Sequence, residues 1–176
     1  WGRVTRKAAV FGGEEGRRGA RVHERYLDDH CESAGRKIKM LCRAGCLPVL
    51  DRVGQDMGWS DSLRTCMLCD TGEAETVQHF VVACPAHQSH REVLARGVCS
   101  GTEGTGFNFA ALAPSDQCDL LLGKSTGVAA LDDRVDVLVK RFLKKAWRGR
   151  GRVAKAVQEV TGVEGVLWEL GRCTRV

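Results

Sequence analysis

The chain has 176 residues, 43% of them apolar, enough for one ordinary domain core. Its formal net charge of +5 is a modest excess, so the distribution of charge matters more than the total. No apolar stretch approaches the roughly 18 residues of a membrane-spanning helix, and residues 1–20 lack the apolar run of a secretory signal.

Nine Cys are present, an odd number. Without a secretory signal, a reducing compartment and a metal site fit better than a disulfide scaffold. The first residue is Trp1, not Met, so the chain is expected to be a piece of a longer protein.

Residues 1–30, rich in Gly and Arg at their start, show no period and read as a linker or a torn domain edge. Residues 32–58 read as two helices. Ile38, Leu41 and Cys42 mark one face of the first, and Pro48 opens the second, with Val49, Leu50, Val53 and Met57 at helical spacing. Residues 74–83 have Val77, Phe80 and Val81 on one helical face, and Pro85 stops that helix near Cys84. A short helix is expected over 87–96, a loop over 97–106, and another short helix over 115–123.

The strongest helix spans 131–148. Leu131, Val135, Leu138, Val139, Phe142, Leu143, Ala146 and Trp147 fill one half of its wheel. Lys140, Arg141, Lys144, Lys145 and Arg148 cover an arc of about 140° on the other half. Trp147, lying on the apolar arc, is expected in the core. Asp132 and Asp133 sit in the first turn, as the helix dipole favours. From Lys140 to Lys155 there are eight basic residues and no acidic one. Arg150 and Arg152, alternating with Gly149 and Gly151, are expected to carry the charge onto a pliable segment. A weaker helix over 152–160 precedes an apolar tail around Val166, Leu167 and Trp168.

Cys66-x2-Cys69-x9-His79-x4-Cys84 has the residue types of a structural zinc site, which is tetrahedral and takes Cys and His ligands. A closed four-ligand set leaves no open position for catalysis by the metal. Spacing alone allows His87 in place of His79. Buried thiols, or a redox pair at Cys66 and Cys69, are the alternatives, but no βαβ pattern accompanies the pair. Three thiolates carry more negative charge than a divalent ion offsets, and Arg64 is a nearby cation. Cys42 and Cys46 lie one turn apart and read as buried thiols, since no complete ligand set surrounds them.

The stretch CMLCDTGEAETVQHFVVACPAHQSHREVL resembles the zinc-binding region that follows the polymerase domain in non-LTR retrotransposon reverse transcriptases. The shared pattern is Cys66 and Cys69, then Glu75-Thr76, His79, Cys84-Pro85 and Arg91. The lead-in MLCRAGCLPVLDRVGQDMGW and the downstream KRFLKKAWRGRG look similar to segments of the same family. The resemblance selects His79 over His87 and implies Zn2+ as the cofactor. It offers Thr76 as a helix cap or Glu75 as a first-turn residue of the ligand helix. It further implies a preceding reverse transcriptase domain in the parent chain, RNA or DNA as partner, no membrane, and a place in nucleus and cytoplasm.

Paired-Asp polymerase and RNase H motifs are absent from this chain. Gly123-Lys124-Ser125-Thr126 resembles the end of a P-loop, but position 118 is Cys where the motif needs Gly. Asp116 and Asp136 are the nearest matches to a restriction-like nuclease, both with the wrong spacing, and Asp136 with Lys140 reads as an i,i+4 ion pair.

The expectation is therefore a mainly α fold. A small helical zinc domain over 31–97 is followed by a loop and short helix over 98–130. A basic amphipathic helix and tail over 131–176 complete the chain. The expected function is nucleic-acid binding through Lys140, Arg141, Lys144, Lys145, Arg148, Arg150 and Arg152, with no catalysis by this chain. A nuclease remnant and a scaffold without nucleic acid are the alternatives.

Overall fold

The computed structural model describes residues 32–100 and 108–162. The expectations for 1–30, for residues 101–106 of the loop expected at 97–106 and for the apolar tail beyond 162 lie outside them, whereas residues 97–99 of that expected loop are helical. The described part is mainly helical, as expected. Six helices follow in order: α1 (Ser33–Arg43), α2 (Leu50–Met57), α3 (Gln88–Cys99), α4 (Pro114–Leu122), α5 (Ala129–Trp147) and α6 (Arg150–Thr161). The only β pairing among the described residues is an isolated antiparallel bridge between Thr65 and Ala74.

Helix α5 is the axis of the fold. Its apolar arc, from Leu131 to Trp147, is buried against α1, α3 and α4. Residues on both sides of the 98–130 segment, such as Ile38 and Leu94 on one side and Val139 and Leu143 on the other, enter the same core. The division at 98–130 therefore does not separate two cores. The start of α5 is fixed by Asp132, whose carboxylate accepts from the Thr126 backbone N–H at 2.8 Å and from the hydroxyls of Ser125 and Thr126. A first-turn carboxylate also complements the helix dipole.

The crossing of α1 and α5 is close. A Cβ on Gly35 would lie 2.0 Å from the Lys140 carbonyl oxygen, so only Gly fits there. At this crossing Asp136 accepts from Lys39 at 2.7 Å and pairs with Lys140 at 2.6 Å, the expected i,i+4 pair. Both lysines are buried, and burial lowers the Lys39 pKa. Lys140 was expected on the exposed cationic arc. On the helix wheel it lies only about 20° from the buried Trp147, so α1 closes over it. Carboxylate pairing is what makes its burial tolerable.

A smaller cluster joins α2 to α6: Leu50 and Val53 pack on Val153 and Val157, with Trp59, Met67 and Leu68 at its edge. Helix α6 begins at Arg150, so Gly151 is helical and only the Arg148–Gly149 joint separates α6 from α5. The pliable Gly-rich segment expected there is instead a helix start.

Asp136→Asn should remove the carboxylate charge that two buried ammonium groups share. A loss of about 3–5 kcal/mol is expected, read as a lower urea midpoint. Asp116→Asn, which removes only a half-exposed pair with Lys124, should change stability by less than about 1 kcal/mol. Equal effects of the two substitutions would contradict the assignment of Asp136 as the buried anchor.

Candidate metal centre

Cys66, Cys69, His79 and Cys84 converge, with their ligand atoms all within 4.8 Å of one another. The first two come from a short hairpin. The Thr65–Ala74 bridge is flanked by Cys66 N–H donating to the Glu73 carbonyl at 2.8 Å and Glu75 N–H to the Arg64 carbonyl at 2.9 Å. Gly72, at φ +70°, makes the reversal between them. The backbone N–H groups two residues on, of Leu68, Thr71 and Ala86, favour the ionised form of Cys66, Cys69 and Cys84 respectively.

His79 and Cys84 come from an irregular helix. In a regular α-helix, residues five apart lie about 140° apart around the axis and cannot both face one ion. Here His79–Ala83 form a π-turn. Cys84 N–H donates to the His79 carbonyl at 2.6 Å, an i→i+5 bond that widens the turn by one residue and brings the two side chains to one side. Thr76 caps this element, its hydroxyl accepting from His79 N–H at 3.0 Å. Arg91 Nη2 reaches the Ala83 carbonyl at 3.4 Å, so the turn is held at both ends.

The distances suit a tetrahedral ion. Two sulfurs bound at about 2.3 Å would stand roughly 3.8 Å apart, and Cys66 Sγ and Cys84 Sγ are 3.8 Å apart. Cys69 Sγ lies 3.4 Å from His79 Nε2. The His79 Nδ1–H donates to Glu73 Oε2 at 2.8 Å, which leaves the Nε2 lone pair for a metal. Burial pushes the Cys66 and Cys84 thiols up. Burial also raises Cys69, but hydrogen bonds from Thr71, Cys66 and His79 outweigh it and bring this thiol down to about 7. The half-exposed Cys69 is thus the ligand closest to ionised before an ion binds.

His87, the alternative ligand, lies outside the cluster. It is buried against Phe80, ring centroids 5.1 Å apart and edge to face, and burial, aided by Arg91 and His90, lowers its pKa to about 4. Arg64 does not offset the thiolates as expected: it pairs with Asp61 and with Asp51. The cation that feels Cys84 is Arg91, with burial opposing its charge. Cys42 is buried as expected, whereas Cys46 is exposed on the turn after α1, its thiol directed to the Ala44 carbonyl.

Two residues beside the site carry interactions that its ligand spacing does not reveal. Glu73 orients His79. Glu75, which the resemblance offers as a first-turn residue of the ligand helix, is fully buried and forms an ion pair with Arg150 at the start of α6. Arg150, expected as a phosphate contact, is therefore internal. The hint in the sequence is Glu75 itself, an acid beside a ligand cysteine hairpin with no neighbouring cation in sequence.

The remaining cations divide into two groups. Arg141 and Lys144 reach Glu32, at 3.5 and 3.1 Å. Lys145, Arg148, Arg152 and Lys155 are exposed, with no ion pair to any described residue. Lys145 and Arg152 line the same cleft as Met67 and Leu68 of the cysteine hairpin. Comparison of the chain with known protein families, with curated proteins and with solved structures finds no match.

Loading with cobalt, followed by its thiolate absorption, checks this centre. One ion per chain is expected. Cys66→Ser, Cys69→Ser, Cys84→Ser and His79→Ala should each lose it, and His87→Ala should keep it. Glu73→Gln should keep the ion but weaken its affinity about 10–100-fold. Loss of the ion on His87→Ala, with retention on His79→Ala, would contradict the ligand set.

Proposed function

We propose that this chain is a zinc-stabilised nucleic-acid-binding module, of the kind that follows the polymerase domain in non-LTR retrotransposon reverse transcriptases, and not a self-sufficient enzyme. The observation that carries this reading is the set of four exposed cations, Lys145, Arg148, Arg152 and Lys155, two of which, Lys145 and Arg152, line the cleft beside the cysteine hairpin. Solvated helix faces usually mix acids with bases and gain i,i+4 pairs. These four cations make none with the described residues. Phosphate oxygens are the partner that such a surface suits, and binding of this kind is mostly blind to base sequence.

Zinc is the ion that the donor set favours. Three thiolates and one imidazole in a closed tetrahedron make a structural site, and the binding energy of such a site is folding energy. The resemblance carried by Cys66, Cys69, Glu75-Thr76, His79, Cys84-Pro85 and Arg91 supports the placement beside a reverse transcriptase, with RNA or DNA as partner. Thiolate ligation also suits a reducing, intracellular setting, and no helix among the described residues is long and apolar enough to cross a membrane. The two carboxylates nearest to a nuclease pattern are both engaged, Asp116 with Lys124 and Asp136 with Lys39 and Lys140, which favours binding over cleavage.

The zinc-loaded chain should bind generic RNA or DNA with an affinity that falls steeply with salt. Changing Lys145, Arg148, Arg152 and Lys155 together to Gln should lower the log–log salt slope by up to about four, roughly one for each phosphate that a removed cation had neutralised. Zinc content and melting temperature should stay near those of the parent, since all four side chains are exposed. An unchanged slope in a folded, zinc-loaded variant would contradict the reading.

A further inference from the structure

Between the cysteine hairpin and the α5–α6 joint lies a cavity of about 410 Å³, within the size range of small-ligand sites, about 300–1,000 Å³. Its walls are of two kinds. Met67, Leu68 and Val153 supply apolar surface, and Lys145 and Arg152 supply positive charge. His87 and His90 line it as well, and among the described residues no acidic side chain does.

The two imidazoles are the unusual feature. His87 is only 5% exposed, yet its Nε2 has no hydrogen-bond partner. His90 Nδ1 is likewise buried and without a partner. Buried polar atoms are normally satisfied, so these two call for an explanation. The His87 ring is held in place by Phe80, which packs edge to face on Trp147 at 5.5 Å. The His87 ring is therefore held rigidly at the cavity wall.

A ligand that answers all three features has a flat apolar ring with polar edges and an attached anion. From this we infer that the cavity takes one nucleotide with an unpaired base. The base lies against the apolar wall beside the two imidazole rings, and Lys145 and Arg152 hold its phosphate. Stacking on an apolar or aromatic wall with a cation at the phosphate is how unpaired strands are gripped without regard to sequence. A base in a duplex is stacked on both sides and cannot enter. The inference rests on the nucleic-acid reading above and deepens it. The nucleotide can be free or part of a strand, and the test separates these sources.

Adenosine monophosphate is titrated into the zinc-loaded chain while the His87 and His90 side-chain resonances are followed by NMR. Saturable shifts at both are expected. Ala156 also lines the cavity. Ala156→Leu fills it without changing charge and should weaken the mononucleotide about ten- to hundredfold, in line with the loss of base stacking. A duplex with one unpaired terminal nucleotide should bind the parent about tenfold or more tighter than a blunt duplex, and Ala156→Leu should abolish that preference. Mononucleotide binding without the overhang preference assigns the cavity to free nucleotides. No shift at either histidine at saturating mononucleotide would overturn the inference, as would displacement of the mononucleotide by an equal concentration of inorganic phosphate. Salt-dependent duplex binding that persists in that case leaves the module reading intact. Mononucleotide binding with no oligonucleotide binding sinks that reading and spares the cavity.

Discussion

The ion pair between Glu75 and Arg150 is the constraint around which the described fold is arranged. Glu75 is fully buried and also accepts from the Leu50 backbone N–H at 2.8 Å, at the start of α2. Arg150 reaches the Pro48 carbonyl at 3.2 Å and lies over the Trp147 ring, 4.8 Å from its centroid. Trp147 meets Phe80, and Phe80 meets His87. One buried pair thus ties the cysteine hairpin, α2 and the α5–α6 joint together. A buried carboxylate without a cation is strongly unfavourable, and so is a buried guanidinium without an anion. Each residue therefore fixes the position of the other, and the metal ligands on either side of Glu75 inherit that position.

The same logic sorts the basic residues of α5 and α6 by role. Lys140 and Arg150 are internal, each held by a carboxylate. Arg141 and Lys144 lean on Glu32. What stays exposed without an ion pair to the described residues is the narrower set Lys145, Arg148, Arg152 and Lys155, and two of its members, Lys145 and Arg152, line the cleft beside the cysteine hairpin. Charge density in the sequence is therefore a poor guide to charge at the surface. Half of the cationic stretch serves folding or local pairing.

Much of the helix pattern was legible from periodicity. The eight apolar positions of α5 repeat at helical spacing and are all at least half buried, and Trp147 lies in the core as its arc implies. The convergence of Cys66, Cys69, His79 and Cys84 follows the expected ligand set. The manner of convergence was not legible. A His-x4-Cys spacing contradicts an α-helical face and works only through the π-turn, which no local signal announces. Lys140 could have been placed by its closeness to Trp147 on the wheel, because a cation at the border of an apolar arc is covered when a second helix packs there. Arg150 could not. Its partner Glu75 is 75 positions away, and pattern reading carries no information on pairing at that range.

If Glu75 and Arg150 transmit order from the metal centre to α6, then the basic surface depends on the metal without touching it. Amide hydrogen exchange of residues 150–161, compared between the zinc-loaded chain and the chain stripped by a chelator, tests this most directly. The account predicts that protection across α6 falls sharply when the metal is removed, along with that of the cysteine hairpin, while the α1–α5 crossing around Asp136 stays protected. Unchanged protection of α6 in the stripped chain would contradict it, because the hairpin and the basic helix would then be independent of one another.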